Sequence, residues 1–139
     1  MKILLAVDGS PYTKKMLAYL VTHDMLSQGH DYSTLTVQPK LSIRVKAAVG
    51  REAVAAYYAE EVEKILGPVS RFLLRHGINA KSNWKAGPVG ETIAKFAEDN
   101  KFDLVIMGSH GYGTVVNLVM GSVATQVLAR CKVPVLLMR

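Results

Sequence analysis

Apolar residues along this chain fall into two alternating patterns. Short runs opening at Lys2, Phe102 and Val133 and closing at Val7, Met107 and Met138 have strand character. Between them lie stretches in which apolar residues recur every three or four positions, as on a helix face. The first run ends at Asp8-Gly9-Ser10-Pro11, where Ser10 suits an N-cap and Pro11 the first helical position. Leu17, Leu20, Val21 and Met25 then share one face of the expected helix. Tyr32 to Gln38 alternates, carries Thr34, Thr36 and Val37, and stops at Pro39, which makes it a second strand. Lys40 to Gly50 has no strong period and reads as a connecting loop.

Glu52 to His76 carries Tyr58, Val62, Ile65, Leu66, Val69, Phe72 and Leu73 at helical spacing. Pro68 offers no N–H to the turn before it, so a kink at Gly67-Pro68 is expected, with Gly77 as the stop. Ile78 to Lys85 is a polar third strand suited to a sheet edge. Gly87-Pro88 opens a helix with Glu91 in its first turn and Val89, Ile93, Phe96 and Ala97 inward. A last helix runs from Gly121-Ser122 to Arg130 with Val123 and Val127 inward. Pro134 places the fifth strand at an edge or marks its start. Whether Thr114 to Met120 is a short helix or loop stays open. Strands alternating with helices five times imply an α/β fold, a doubly wound parallel sheet covered on both faces.

Chemistry concentrates where the fourth strand ends. Asp103-Leu104-Val105-Ile106-Met107 runs into Gly108-Ser109-His110-Gly111-Tyr112-Gly113, and a helix follows Gly121-Ser122. Strand, glycine-rich loop and helix start together present backbone amides to an anion. Two familiar phosphate motifs do not fit. The glycine order Gly108-x-x-Gly111-x-Gly113 is not the dinucleotide fingerprint G-x-G-x-x-G. Gly108 to Thr114 lacks the lysine of a P-loop. Asp8 ends an equivalent strand, at the edge where open α/β sheets bind ligands. Its spacing fits local turn bonding equally well.

Gly108-x-x-Gly111-x9-Gly121-Ser122, preceded by Leu-Val-Ile-Met, resembles the ATP-binding signature of the universal stress protein family. So do the opening Ile3-Leu4-Leu5-Ala6-Val7-Asp8-Gly9-Ser10 and the closing Val133-Pro134-Val135-Leu136-Leu137. The resemblance spans essentially the whole chain and implies strand order 3-2-1-4-5. It implies an adenine-nucleotide site, for ATP with or without Mg²⁺, at Asp8, Val37, Met107, Gly108, Ser109, His110, Gly111, Gly121, Ser122 and Val123. Asp8 and Val37 would border base and ribose, and the glycines would let amides approach the phosphates. Ser122 would donate to phosphate oxygens, with His110 a solvated loop side chain. It also implies a homodimer paired through the last strand, little or no hydrolysis, and a stress or regulatory role. Two other classes stay open: a nucleotide hydrolase, and an interaction module that binds no nucleotide. No lysine or arginine lies between Gly108 and Ala129, which weighs against the first. The retained signature weighs against the second. Asn117 stands where relatives often carry basic residues.

Composition narrows the setting. The 139 residues are half hydrophobic and one-fifth charged, as expected of one folded domain. The apolar run at the start is too short for a signal peptide, and the glycines and polar residues from Leu104 to Ala129 argue against a membrane span. A single cysteine, Cys131, fits a reducing, cytoplasmic compartment. His23, His30, His76 and His110 are too scattered for a metal site. The net charge of +6 is concentrated partly in Lys40, Arg44, Lys46 and Arg51, but no nucleic-acid-binding signature accompanies it. A solvated basic stretch, with a positive field that favours anionic ligands, is expected instead.

Overall fold

The structure, a computed structural model, describes residues 1–113 and 117–139. Its elements are β1 (Lys2–Ala6), α1 (Pro11–Thr22), α2 (Asp24–Ser27), β2 (Asp31–Gln38), α3 (Ile43–Arg75), β3 (Lys81–Ala86), α4 (Val89–Asp99), β4 (Leu104–Gly108), α5 (Ser122–Arg130) and β5 (Val135–Met138). The strands form one five-stranded sheet in the order β3-β2-β1-β4-β5, with every neighbouring pair parallel. β1 lies in the middle, with Leu5 opposite Thr34 of β2 on one side and Ile106 of β4 on the other.

Alternation along β1 sends side chains into two separate cores. Ile3 and Leu5 pack with Met16 and Leu20 of α1 and with Leu66, Val69 and Leu73 of α3. Leu4 and Ala6 pack with Ile93 and Ala97 of α4 and Ala124 and Val127 of α5. Both cores are fully covered, so the central strands must be apolar on both faces, and they are. Among the described residues no helix is long and apolar enough to cross a membrane.

α1 starts as expected: Ser10 is the N-cap, its side chain accepts from the Thr13 amide at 3.5 Å, and Pro11 follows. The helix ends sooner than the apolar period suggests. Met25 falls in the short α2 and is 86% exposed instead of buried.

The expected loop at Lys40 to Gly50 is corrected: Ile43 onward is helical, capped by the Ser42 side chain accepting from Val45 N at 3.1 Å. The break in α3 lies at Gly50 (φ 83°, ψ 168°), a conformation glycine tolerates best. At Gly67-Pro68 the backbone keeps helical angles, so α3 continues through Pro68 as one helix, as expected. β3 begins at Lys81 rather than Ile78, and its exposed residues confirm an edge position. β5 is the opposite edge, with Pro134 just before it accepting from Val105 N at 2.9 Å. Asn117 to Met120 forms turns and bends, while Thr114, Val115 and Val116 lie outside the described residues.

Candidate functional site

A cleft of about 540 Å³ opens above the carboxyl ends of β1, β2 and β4. This is the switch point, where the chain leaves β1 towards β2 on one side and β4 has its place on the other. One wall is apolar: Leu35 and Val37 from β2, Pro39 just beyond it, and Val89 and Ile93 from α4. Pro39 is held by Tyr58 of α3, whose hydroxyl donates to the Pro39 carbonyl at 3.3 Å and accepts from Leu41 N at 3.0 Å. The opposite wall is the Gly108 loop with the start of α5.

Asp8 stands at the end of β1, between these walls. Its Oδ1 accepts from the Ser10 amide and from the Thr13 hydroxyl, each at 2.9 Å. The turn-bonding role is therefore real. Oδ2 faces the glycine loop: a Cβ on Gly111 would lie only 2.6 Å from it. A side chain at position 111 would collide with the carboxylate.

The other signature glycines are explained by similar close approaches. A Cβ on Gly108 would meet Tyr12 Cβ at 2.7 Å, and one on Gly121 would meet His110 Cα at 3.2 Å and Ser109 O at 3.3 Å. Protein atoms already fill the space that the sequence suggested phosphate would need. Nor are all the loop amides free: Gly121 N donates to Ser109 O and Ser109 N to Met138 O, each at 2.7 Å. Free donors are instead found at the start of α5. Gly121 is the N-cap and has no side chain to cap the first turn, so Ser122, Val123 and Ala124 begin a helix without a side-chain cap.

His110 is more committed than a solvated loop residue. Its Nε2 lies 2.8 Å from the Leu118 carbonyl, which can only accept, so that nitrogen carries a proton. Nδ1 lies 2.8 Å from the Ser109 hydroxyl oxygen, within hydrogen-bond reach. The ring ties the two ends of the loop together.

The cleft gathers Asp8, Val37, Met107, Gly108, His110, Gly111, Gly121, Ser122 and Val123. Ser109 is buried and faces away, into an adjoining hollow. Sequence reasoning missed Thr13, which fixes Asp8, and Tyr112, whose hydroxyl reaches across to donate to Gly9 O at 2.7 Å. Thr13 could have been suspected as the third helical residue after an N-cap serine. Tyr112 carried no signal, because its partner is remote in sequence. Among the described residues no cluster of three or more His, Cys, Asp or Glu side chains could hold a metal. Cys131 ends α5, with its amide donating to Val127 O, and burial pushes its thiol pKa up and away from reactivity.

The fold and this site define a doubly wound α/β domain with a cleft at its switch point. The chain belongs to the universal stress protein family, whose model matches residues 1–139. It is 30% identical over 139 residues to universal stress protein Slr1230 of Synechocystis, covering 99% of this chain and 42% of that protein. The chain thus spans less than half the length of that relative. The solved structure of protein MJ0577, from Methanocaldococcus jannaschii, superposes with a TM-score of 0.83 at 27% identity. The match covers 99% of this chain and 94% of that one. An Arabidopsis thaliana family member solved with AMP bound gives a TM-score of 0.71 at 15% identity, covering 99% and 90%.

Proposed function

We propose that the cleft binds an adenine nucleotide, with ATP accompanied by Mg²⁺ as the physiological form. The observation that carries this reading is the pairing of an apolar slot with uncapped amides at the start of α5. A purine fits the slot between Val37 and Val89, and phosphate fits the helix start, where amides and dipole favour negative charge. Asp8 borders the ribose, and Ser122 donates its hydroxyl to phosphate. Mg²⁺ needs no cage built by the protein, since it commonly travels on phosphates with one or two carboxylates. Asp8 is the carboxylate available among the described lining residues. The AMP-bound relative supports the choice of base.

The protein then acts as a nucleotide-responsive regulator in the cytoplasm, with little or no hydrolysis. No lysine or arginine lines the cleft among the described residues, and such a clamp is typically worth about 10³–10⁵ in rate. It works as a homodimer paired through β5.

Calorimetry with ATP, ADP and AMP tests the reading. Gly121→Val is a poor probe, because its side chain would press on His110 and Ser109 themselves. Ser122→Asp is better: a carboxylate at a helix start is well tolerated but repels phosphate. Affinity should fall at least about tenfold while the fold stays intact. If the wild type binds none of the three at about millimolar concentration, the reading fails and an interaction module takes its place.

A further inference from the structure

Behind the Gly108 loop lies a second hollow of about 490 Å³, which adjoins the cleft through His110 and Leu118, since these line both. Its charged side chains come from remote parts of the chain. Lys15 lies one turn beyond Tyr12 on α1, and Arg139 follows β5. Among the described residues no acidic side chain lines this hollow. Among the described residues neither cation has an ion-pair partner, because the pairs formed involve Lys64 and Lys95. Lys15 Nζ rests over the Tyr12 ring, 5.1 Å from its centre, and that ring lies 5.0 Å from His110.

The backbone holds the elements that carry both cations against the loop. Gly108 brings α1 close, since Tyr12 occupies the space of its missing Cβ, and Ser109 N ties the end of β5 to the loop. Two cationic side chains lining one hollow favour an anion between them. Lysine and arginine also suit phosphate by geometry and by their supply of donors.

We infer that Lys15 and Arg139 form a polyphosphate subsite that sets a preference for nucleoside triphosphate over monophosphate. This rests on the reading that the cleft holds an adenine nucleotide. A monophosphate ends at the α5 amides. A triphosphate extends past His110 and Leu118, and its terminal phosphates meet the two cations in the hollow. These two cations lie outside the cleft itself and act on affinity.

Calorimetry on the wild type, on Lys15→Gln/Arg139→Gln and on Lys15→Arg/Arg139→Lys separates the possibilities, with ATP and AMP as ligands. The wild type should bind ATP about tenfold or more tightly than AMP, as expected for charge-assisted contacts. The neutral double variant should lose that preference while its AMP affinity stays within about twofold, and the charge-conserving variant should keep most of it. Raising salt should narrow the wild-type preference. Equal ATP affinity in wild type and neutral variant, or an equal loss for AMP, overturns the subsite and leaves the nucleotide reading standing. A wild type that binds AMP and ATP equally does the same. A wild type that binds neither overturns both.

Discussion

Gly108 shows how much a single missing methyl group decides in this molecule. Its added Cβ would sit 2.7 Å from Tyr12 Cβ, so Gly108→Ala must push α1 away from β4. Overpacking of this kind costs about 1–3 kcal/mol, which denaturant melts would detect. Gly113 makes a useful contrast: among the described residues nothing lies within 4 Å of its would-be Cβ, and its φ of 71° is what favours glycine there. The signature glycines were visible in the sequence, but their reasons were not. The sequence suggested room for phosphate, whereas the contacts are with Tyr12 and Asp8, far away along the chain, and with His110 and Ser109 across the loop. Tyr32 offers a different check. It is 3% exposed and its hydroxyl donates to Leu26 O, and burial pushes its pKa from 10.0 up to about 12. The unfolded chain therefore sheds this proton first as pH rises. Stability from this group is intact below pH 10 and is lost as pH climbs towards 12. Ultraviolet titration of wild type against Tyr32→Phe should show one late phenol missing from the variant. Melts of the two should converge in alkaline solution.

At the scale of elements, α3 is the instructive case. Its later part buries Leu66, Val69 and Leu73, and the apolar period from Tyr58 onward announced it clearly. Its first turns, from Ile43 to Val49, bury nothing: Ile43 is 86% exposed, Val45 44% and Val49 51%. Hydrophobic periodicity reports burial, so a helix with no buried face has no period to read. The cap at Ser42 was the one local signal, and it is weak without a pattern behind it. A short helix lacking tertiary contacts is marginal in water. Amides from Lys46 to Val49 should therefore exchange with solvent far faster than those from Val69 to Leu73. Equal protection in the two stretches, measured by hydrogen exchange and mass spectrometry, would contradict this account. Pro68 shows the apolar period outweighing a helix-breaking residue: the pattern continues on both sides of it, and so does the helix. Packing of Leu66 and Val69 on either side holds the turn in place.

For the whole molecule, alternation of strand and helix was enough to fix a covered parallel sheet, because each βαβ unit has one workable hand. Strand order is a different matter, since nothing in β1 names β4 as its neighbour. The family resemblance carried that information, and the order found is the one it implied. The cleft depends on this order, because Asp8 and Gly108 meet only when β1 and β4 are adjacent. The same order leaves β5 as an edge. Val135 and Leu137 are half-buried, and Leu136 is 36% exposed with no strand on its outer side. An apolar edge of this kind presents unpaired backbone groups and invites another strand. The partner proposed for it is β5 of a second copy, running antiparallel across a two-fold axis. Light scattering should then give a dimer for the wild type. Leu136→Lys places like charges near each other across that axis, a standard way of blunting a sheet edge, while the exposed position spares the core. That variant should be a folded monomer with an unchanged circular dichroism spectrum. Because Ser109 N bonds to Met138 O, β5 also braces the Gly108 loop. Loss of the partner strand should therefore loosen the loop and weaken ATP binding severalfold in the monomer. A Leu136→Lys protein that remains dimeric would place the interface elsewhere. One that is monomeric yet binds ATP as the wild type does would show that the loop stands without its brace.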